Sequence, residues 1–204
     1  CAKGLCGPLP VPAQVTVGMY HACARLSDGQ VLCWGANNNG QVGDGSFELK
    51  TLPAPVKNIS DASAIAAGPR FTCAVHSTGT MSCWGKNAAG ELGNGTTVSQ
   101  SSPVAVKGLL AVVSIALGSS HACAVQKDGF VWCWGANTKG QLGDGSMETK
   151  AAPSSVKDIA DVLVVAAGYH HTCALAKLGM ISCWGSNSHG QLGNGSGPTS
   201  AMKP

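Results

Sequence analysis

The chain has 204 residues, a net charge of +3, 44% hydrophobic residues and only 11% charged ones. So low a charge content excludes charge-driven disorder and long charged helices. Lys and Arg are scattered singly and leave no electrostatic footprint for nucleic acid. No apolar run approaches 18 residues, so no membrane span is expected, and LLAVVSIALG (109–118) reads as a buried strand.

The first seventeen residues carry Cys1 and Cys6 outside any repeat. Two readings stand for them: they bridge each other, or Cys1 is a lipidated mature N-terminus. No signal peptide is visible in the opening CAKGLCG, so for an exported chain the expectation is that one has been removed. GPLPVPAQVTVG is a shortened copy of what later precedes each repeat, and an outer strand is expected in this segment.

From Gly18 onward the chain repeats itself every 50 residues, with cores at 18–45, 68–95, 118–145 and 168–195. Gly18, Gly68, Gly118 and Gly168 anchor the units. A cysteine follows each after five residues, and Cys-Trp-Gly after fifteen. Then come an Asn, a Gly and a closing Gly-x-Gly. A weaker period of 100 pairs units one and three, which share GDGS, and units two and four, which share GNG.

Within a unit, HACARLSDGQVLCWG holds two apolar runs around Ser-Asp-Gly. A three-residue hairpin loop needs positive φ at its last position, which Gly29, Gly79, Gly129 and Gly179 supply at least cost. Counting outward from that loop sets Cys23 opposite Cys33, Cys73 opposite Cys83, Cys123 opposite Cys133, and Cys173 opposite Cys183. Directly opposed residues have Cβ atoms roughly 4.5–5.5 Å apart, close to disulfide reach. Four cross-strand bridges are therefore expected, each worth at most about 3 kcal/mol. Nine intervening residues do not fit zinc, whose ligand pairs sit two to four apart.

An apolar run ends at each anchor glycine (AQVTVG, ASAIAAG, VVSIALG, VLVVAAG), and a Pro-Val strand signal precedes the later ones, as in APVKNI. About four short strands per unit make one small sheet. Such a sheet buries its faces only by stacking on copies of itself. Radial stacking makes an all-β propeller of four-stranded antiparallel blades.

The pattern G-x-x-[HF]-[AT]-C-A-[LV]-x-x-x-G-x-[VM]-x-C-W-G-x-N-x-x-G-[QE]-[LV]-G-x-G resembles the repeat of the regulator of chromosome condensation family. It runs through all four units and covers nearly the whole chain after the first dozen residues. The resemblance implies a propeller, usually of seven blades. Four units make a small closed ring, a partial arc, or a ring completed by another chain. The paired cysteines are a departure from nuclear members and are similar to exported bacterial ones. In a reducing compartment eight thiols would have no role.

The candidate sites follow from the columns of the repeat. His21, His121 and His171 recur where unit two has Phe71, so packing, with one ring nitrogen bonded to backbone, is expected rather than catalysis or metal binding. Asp44 and Asp144 in GDGS give way to Asn94 and Asn194, which fits Asx turns better than calcium loops. GANNNGQVG lacks the Lys-Ser/Thr of a P-loop. Trp34, Trp84, Trp134 and Trp184 read as inter-blade core. No catalytic residue, metal site or cofactor is expected. The two residues after each anchor glycine change from unit to unit: Met19-Tyr20, Pro69-Arg70, Ser119-Ser120 and Tyr169-His170. Positions that packing does not dictate are candidates for a binding face.

These observations point to a non-catalytic, exported propeller module, extracellular or on a cell surface. It would bind a protein or glycan, or self-associate through open blade edges. A soluble protein inhibitor resembling the propeller-type β-lactamase inhibitors is the alternative. Guanine-nucleotide exchange, which the resemblance also implies, conflicts with the cysteines. Alkylation of the native protein without reductant is expected to label none of the eight repeat cysteines; labelling of all eight would overturn the cross-linked, exported reading.

Overall fold

The computed structural model describes residues 9–195 and 199–204. Cys1 and Cys6, and whatever joins them, lie outside the described residues. The first sheet is formed by β1 (Pro12–Val17), β2 (His21–Leu26), β3 (Val31–Gly35) and β4 (Lys50–Pro55). The second contains β5 (Ala62–Ala67), β6 (Phe71–His76), β7 (Met81–Gly85) and β8 (Gln100–Ala105). The third contains β9 (Val112–Leu117), β10 (His121–Gln126), β11 (Val131–Gly135) and β12 (Lys150–Ser155). The fourth contains β13 (Val162–Ala167), β14 (His171–Ala176) and β15 (Ile181–Gly185). All neighbours pair antiparallel in chain order. In the fourth sheet Ala201 bridges Gly185 where a fourth strand would start.

The hairpins follow the register read from the repeat. Leu26 N–H donates to Gln30 O at 2.8 Å, and Gly29 N–H donates back to Leu26 O. Gly29 takes φ +86°, the left-handed conformation that closes a three-residue loop. Cys23 pairs with Cys33 in this register, and likewise through the other hairpins. All four pairs are disulfide-bonded, with Cα atoms 4.1 Å apart.

The described part of the segment before Gly18 supplies β1, the innermost strand of the first sheet, as the run AQVTVG leads one to expect. One strand placement differs from expectation. The outer strands β4, β8 and β12 lie upstream of where the Pro-Val signal placed them. In APVKNI only Ala54 and Pro55 are strand; Val56 lies just past it, buried, its N–H on Val31 O at 2.9 Å. The prolines at 53, 103 and 153 sit inside these strands because an outer edge strand need not donate every N–H.

The sheets stack through their first strands, β1 on β5, β5 on β9 and β9 on β13. Three cores lie between successive sheets. Each is built the same way. The disulfide and β-branched residues of one sheet face the tryptophan and first strand of the next. Trp134, fully buried, donates Nε1–H to Glu91 O at 2.8 Å in the turn after β7 of the preceding blade; Trp84 and Trp184 donate to Gln41 O and Gln141 O at 2.9 Å. Gly43, Gly93 and Gly143 let the indoles approach: an added Cβ would come within 2.6–2.8 Å of Nε1. Among the described residues no core joins the fourth sheet back to the first, so the described blades form an open arc. Val15, on the uncovered face of β1, is 68% exposed, where Ile65 at the same place in β5 is 3% exposed.

This arrangement predicts unequal tryptophans. Trp134→Ala removes a fully desolvated indole and its bond, and is expected to cost about 3–5 kcal/mol. Trp34→Ala, on the partly exposed first face, is expected to cost less than half of that. Chemical denaturation of the two variants checks the order.

Candidate binding face

Each anchor glycine begins a tight turn. Its N–H donates to the carbonyl three residues on: Gly18 to His21, Gly68 to Phe71, Gly118 to His121, Gly168 to His171, all at 2.8–2.9 Å. The glycine is needed for closeness. A Cβ at Gly118 would collide with the His121 ring and the Gly168 carbonyl. The two variable residues are the tip of this turn. The structure brings all four tips together at one end of the stack. Met19, Tyr20, Arg70 and Tyr169 are exposed; Pro69, Ser119, Ser120 and His170 are half-buried.

The turns are partly zipped to each other. Met19 N–H donates to Pro69 O at 3.3 Å, and Ser119 N–H to Tyr169 O at 3.2 Å. The matching bond from the second turn to the third cannot form, because Pro69 has no N–H. Ser119 Oγ–H also donates to Tyr169 O, and the Tyr169 and His170 rings meet edge to face at 4.5 Å. Inside the rim is a hollow of about 350 Å³, walled by the anchor glycines and by Val17, Ala67, Leu117 and Ala167. Beside it, at the unzipped second-to-third position, is a notch of about 230 Å³ with Arg70, Lys86, Ser119 and Ser120.

Lys86 was not singled out from the sequence. Its Nζ lies 2.9 Å from Glu91 Oε1 and donates to Ser120 Oγ at 3.1 Å. Glu91 is fully buried. In the other units the pair reads Ala36/Gln41, Ala136/Gln141 and Ser186/Gln191. The signal was therefore present as a double departure in unit two, ten or more residues downstream of the variable tips.

His21 and His121 are packed structurally, as expected, but the partner of the ring nitrogen differs. His21 Nε2 lies 2.8 Å from Thr72 Oγ1, and His121 Nε2 lies 3.0 Å from Thr172 Oγ1. The partner is thus a hydroxyl of the next blade, not backbone. Both threonines donate their own O–H, to Gln41 O and Gln141 O at 3.0 Å. Each must then accept from histidine, which places the imidazole proton on Nε2 and leaves Nδ1 unpaired in the core. Between the second and third blades, Phe71 and Ala122 replace this polar pair with an apolar one.

Burial pushes the His21 pKa down to about 4. Burial, with the charges of His170 and His171, pushes that of His121 down to about 3. Neutral, buried and hydrogen-bonded to structure, they are poorly placed as proton carriers. Asp44 is likewise engaged, accepting from Ser46 N–H at 3.0 Å and pairing with Lys50 Nζ at 2.7 Å. Burial works against its ionisation, yet the Lys50 and Ser46 bonds hold it below the usual carboxylate range. Among the described residues no three His, Cys, Asp or Glu side chains converge as a metal site, and no helix is long and apolar enough to cross a membrane.

Small antiparallel sheets stacked radially, with their inner turns rimming one hollow, define a β-propeller. The chain belongs to the RCC1-like domain family (WD40_RLD), which matches residues 7–204. It superposes on yeast RCC1 (Prp20), in a crystal structure with Kap60, at TM-score 0.86 and 24% identity, covering 96% of this chain and 48% of that one. Human WBSCR16 gives TM-score 0.86 and 23% identity over 96% and 51%. The ectodomain of the Physcomitrella patens receptor kinase CR4 gives 0.55 and 25% over 88% and 42%. Among curated proteins, the mitochondrial RCC1 domain-containing protein RUG3 of Arabidopsis thaliana is 31% identical over 65 residues, 28% of this chain and 15% of that protein. The chain thus spans about half the length, or less, of these relatives.

The depressed histidines make stability pH-dependent. Their folded pKa values, about 4 and about 3, lie below the ordinary 6.5. Between pH 6.5 and about 4 the unfolded chain takes up protons that the folded chain refuses. Stability is full above pH 6.5 and is expected to fall as pH drops, by up to about 1.4 kcal/mol per unit for each histidine. His121→Phe with Thr172→Ala, which copies Phe71/Ala122, should remove about half of this acid limb in denaturant melts at pH 7 and pH 5.

Proposed function

We propose that the chain is an exported, non-catalytic propeller module that binds a macromolecular partner, most favourably a protein, through the anchor-turn face. One observation carries this reading. The framework columns repeat through all four units, while the two columns after each anchor glycine change and are gathered on a single rim. Two tyrosines, an arginine and a histidine stand on that rim, residue types that anchor protein interfaces at low entropic cost. The fold of Prp20, crystallised with the protein Kap60, supports a protein partner. Four disulfides and a likeness to a receptor ectodomain support export. Guanine-nucleotide exchange rests on the family likeness alone, and the inhibitor alternative would draw on the same face.

Self-association through the uncovered blade faces is a second reading, favoured by exposed Val15 on β1 and Leu175 and Ile181 on β14 and β15. Native mass spectrometry separates the two: a stable monomer at micromolar concentration removes self-association and leaves the face untouched.

For the face, Arg70→Glu with Tyr169→Ala is expected to weaken capture of a surface-protein ligand at least tenfold. Phe130→Ser, at the opposite end of the hairpins, should leave it unchanged. The reverse pattern would overturn the assignment. A glycan array in parallel, positive only for the unmutated chain, would make the partner a glycan.

A further inference from the structure

The notch and the hollow are two parts of one site. They share Met19, Pro69, Ser119 and Tyr169 as a common wall. On the hollow side the lining is aliphatic or glycine, with no charged side chain. On the notch side hydrogen-bond donors converge without enough acceptors. Lys86 donates one of its three N–H groups to Ser120 and forms an ion pair with Glu91. Ser120 accepts from Lys86, so its own O–H is left to give. The Arg70 guanidinium, with five donors, has no side-chain hydrogen bond or ion pair among the described residues. Among the described residues no carboxylate lines the notch, and Glu91 behind it is paired with Lys86, so an incoming anion meets a net positive charge.

The notch exists because of the sequence at one position. Proline at 69 deletes the N–H that would zip the second turn to the third, as the first is zipped to the second and the third to the fourth. The gap is spanned instead by the Lys86 side chain. Unit two alone carries Pro69, Arg70, Lys86 and Glu91 in these columns. A buried ion pair stabilises no better than the neutral Ala/Gln that the first and third units have. What the pair adds is an ammonium held rigidly at the foot of an open notch.

We propose that hollow and notch together bind a carboxylate carried next to an aliphatic group, presented by an acidic-aliphatic loop of a protein partner. The carboxylate sits between Arg70, Ser120 and Lys86, and the aliphatic side chain enters the hollow between Val17 and Leu117. One uncommitted guanidinium matches a singly charged carboxylate better than a dianion, and the uncharged hollow excludes a second polar group. This assignment rests on the protein-binding reading of the face.

Hexanoate is the minimal probe, with hexanol and hexylammonium as controls. All are titrated into the intact, disulfide-bonded chain and followed by amide NMR shifts. Saturable shifts are expected at Gly68, Ser119 and Ser120 with hexanoate, and binding at least about fivefold weaker with either control. Arg70→Ser, which copies unit three, is expected to weaken hexanoate about fivefold or more. Lys86→Ala with Glu91→Gln copies units one and three, keeps the net charge and the fold, and is expected to do the same. Equal binding of hexanol and hexanoate, unchanged affinity in both variants, or no saturation by about 50 mM would each overturn the proposal. If hexanoate fails while Arg70→Glu/Tyr169→Ala still weakens partner capture, the face reading stands and only the ligand chemistry falls.

Discussion

The contact on which the rest depends is the bond from one blade's tryptophan to the previous blade's Gln or Glu carbonyl. A buried indole must satisfy its N–H, and in each described interface the acceptor comes from a turn of the neighbouring blade. The bond therefore sets the angle at which blades meet. Gly43, Gly93 and Gly143 are required because the indole lies where their side chains would be, and because their φ values of 65–79° disfavour any other residue. At two of the three interfaces the same carbonyl also receives the threonine hydroxyl, which fixes the histidine tautomer.

The disulfides act at a different level. They lie within hairpins already closed by a glycine turn, so they do not choose the register. They shorten the unfolded chain's freedom and supply apolar sulfur to each inter-blade core. A small sheet with few large side chains gains from a staple that also packs. The same bridge in the fourth sheet has no following blade and is only half-buried, which shows how much of the desolvation comes from the neighbour.

Diversity is confined to places where this framework makes no demand. The anchor turn is held by its glycine and by backbone bonds, so its two tip residues are free to change. Unit two uses that freedom most: Pro69 opens the rim, Arg70 leaves a cation unpaired, and Lys86 with Glu91 builds a charged foot beneath. Of these residues only Glu91 takes part in a Trp–carbonyl bond, and it does so through its backbone oxygen, which Gln and Glu share, so one blade can differ while the stack stays regular.

Much was legible along the chain because the controlling interactions are local. A glycine at the hairpin's third position determines pairing by counting, and from pairing follow the cysteine partners, the strand alternation and a stacked all-β architecture. The outer strand was misplaced because its signal, Pro-Val, marks the valine that plugs the core after the strand ends; a buried run and a strand share composition. The histidine partner was missed because it lies 51 residues away on another blade. The notch was missed for the same reason, since Ser120 and Lys86 are 34 positions apart. Sequence by itself determined the repeat, the register and the covalent cross-links, which depend on neighbours within one unit. Only the tertiary structure decided which variable residues share a cavity, which polar groups are orphaned, and where the arc is open, because those depend on the angle between blades.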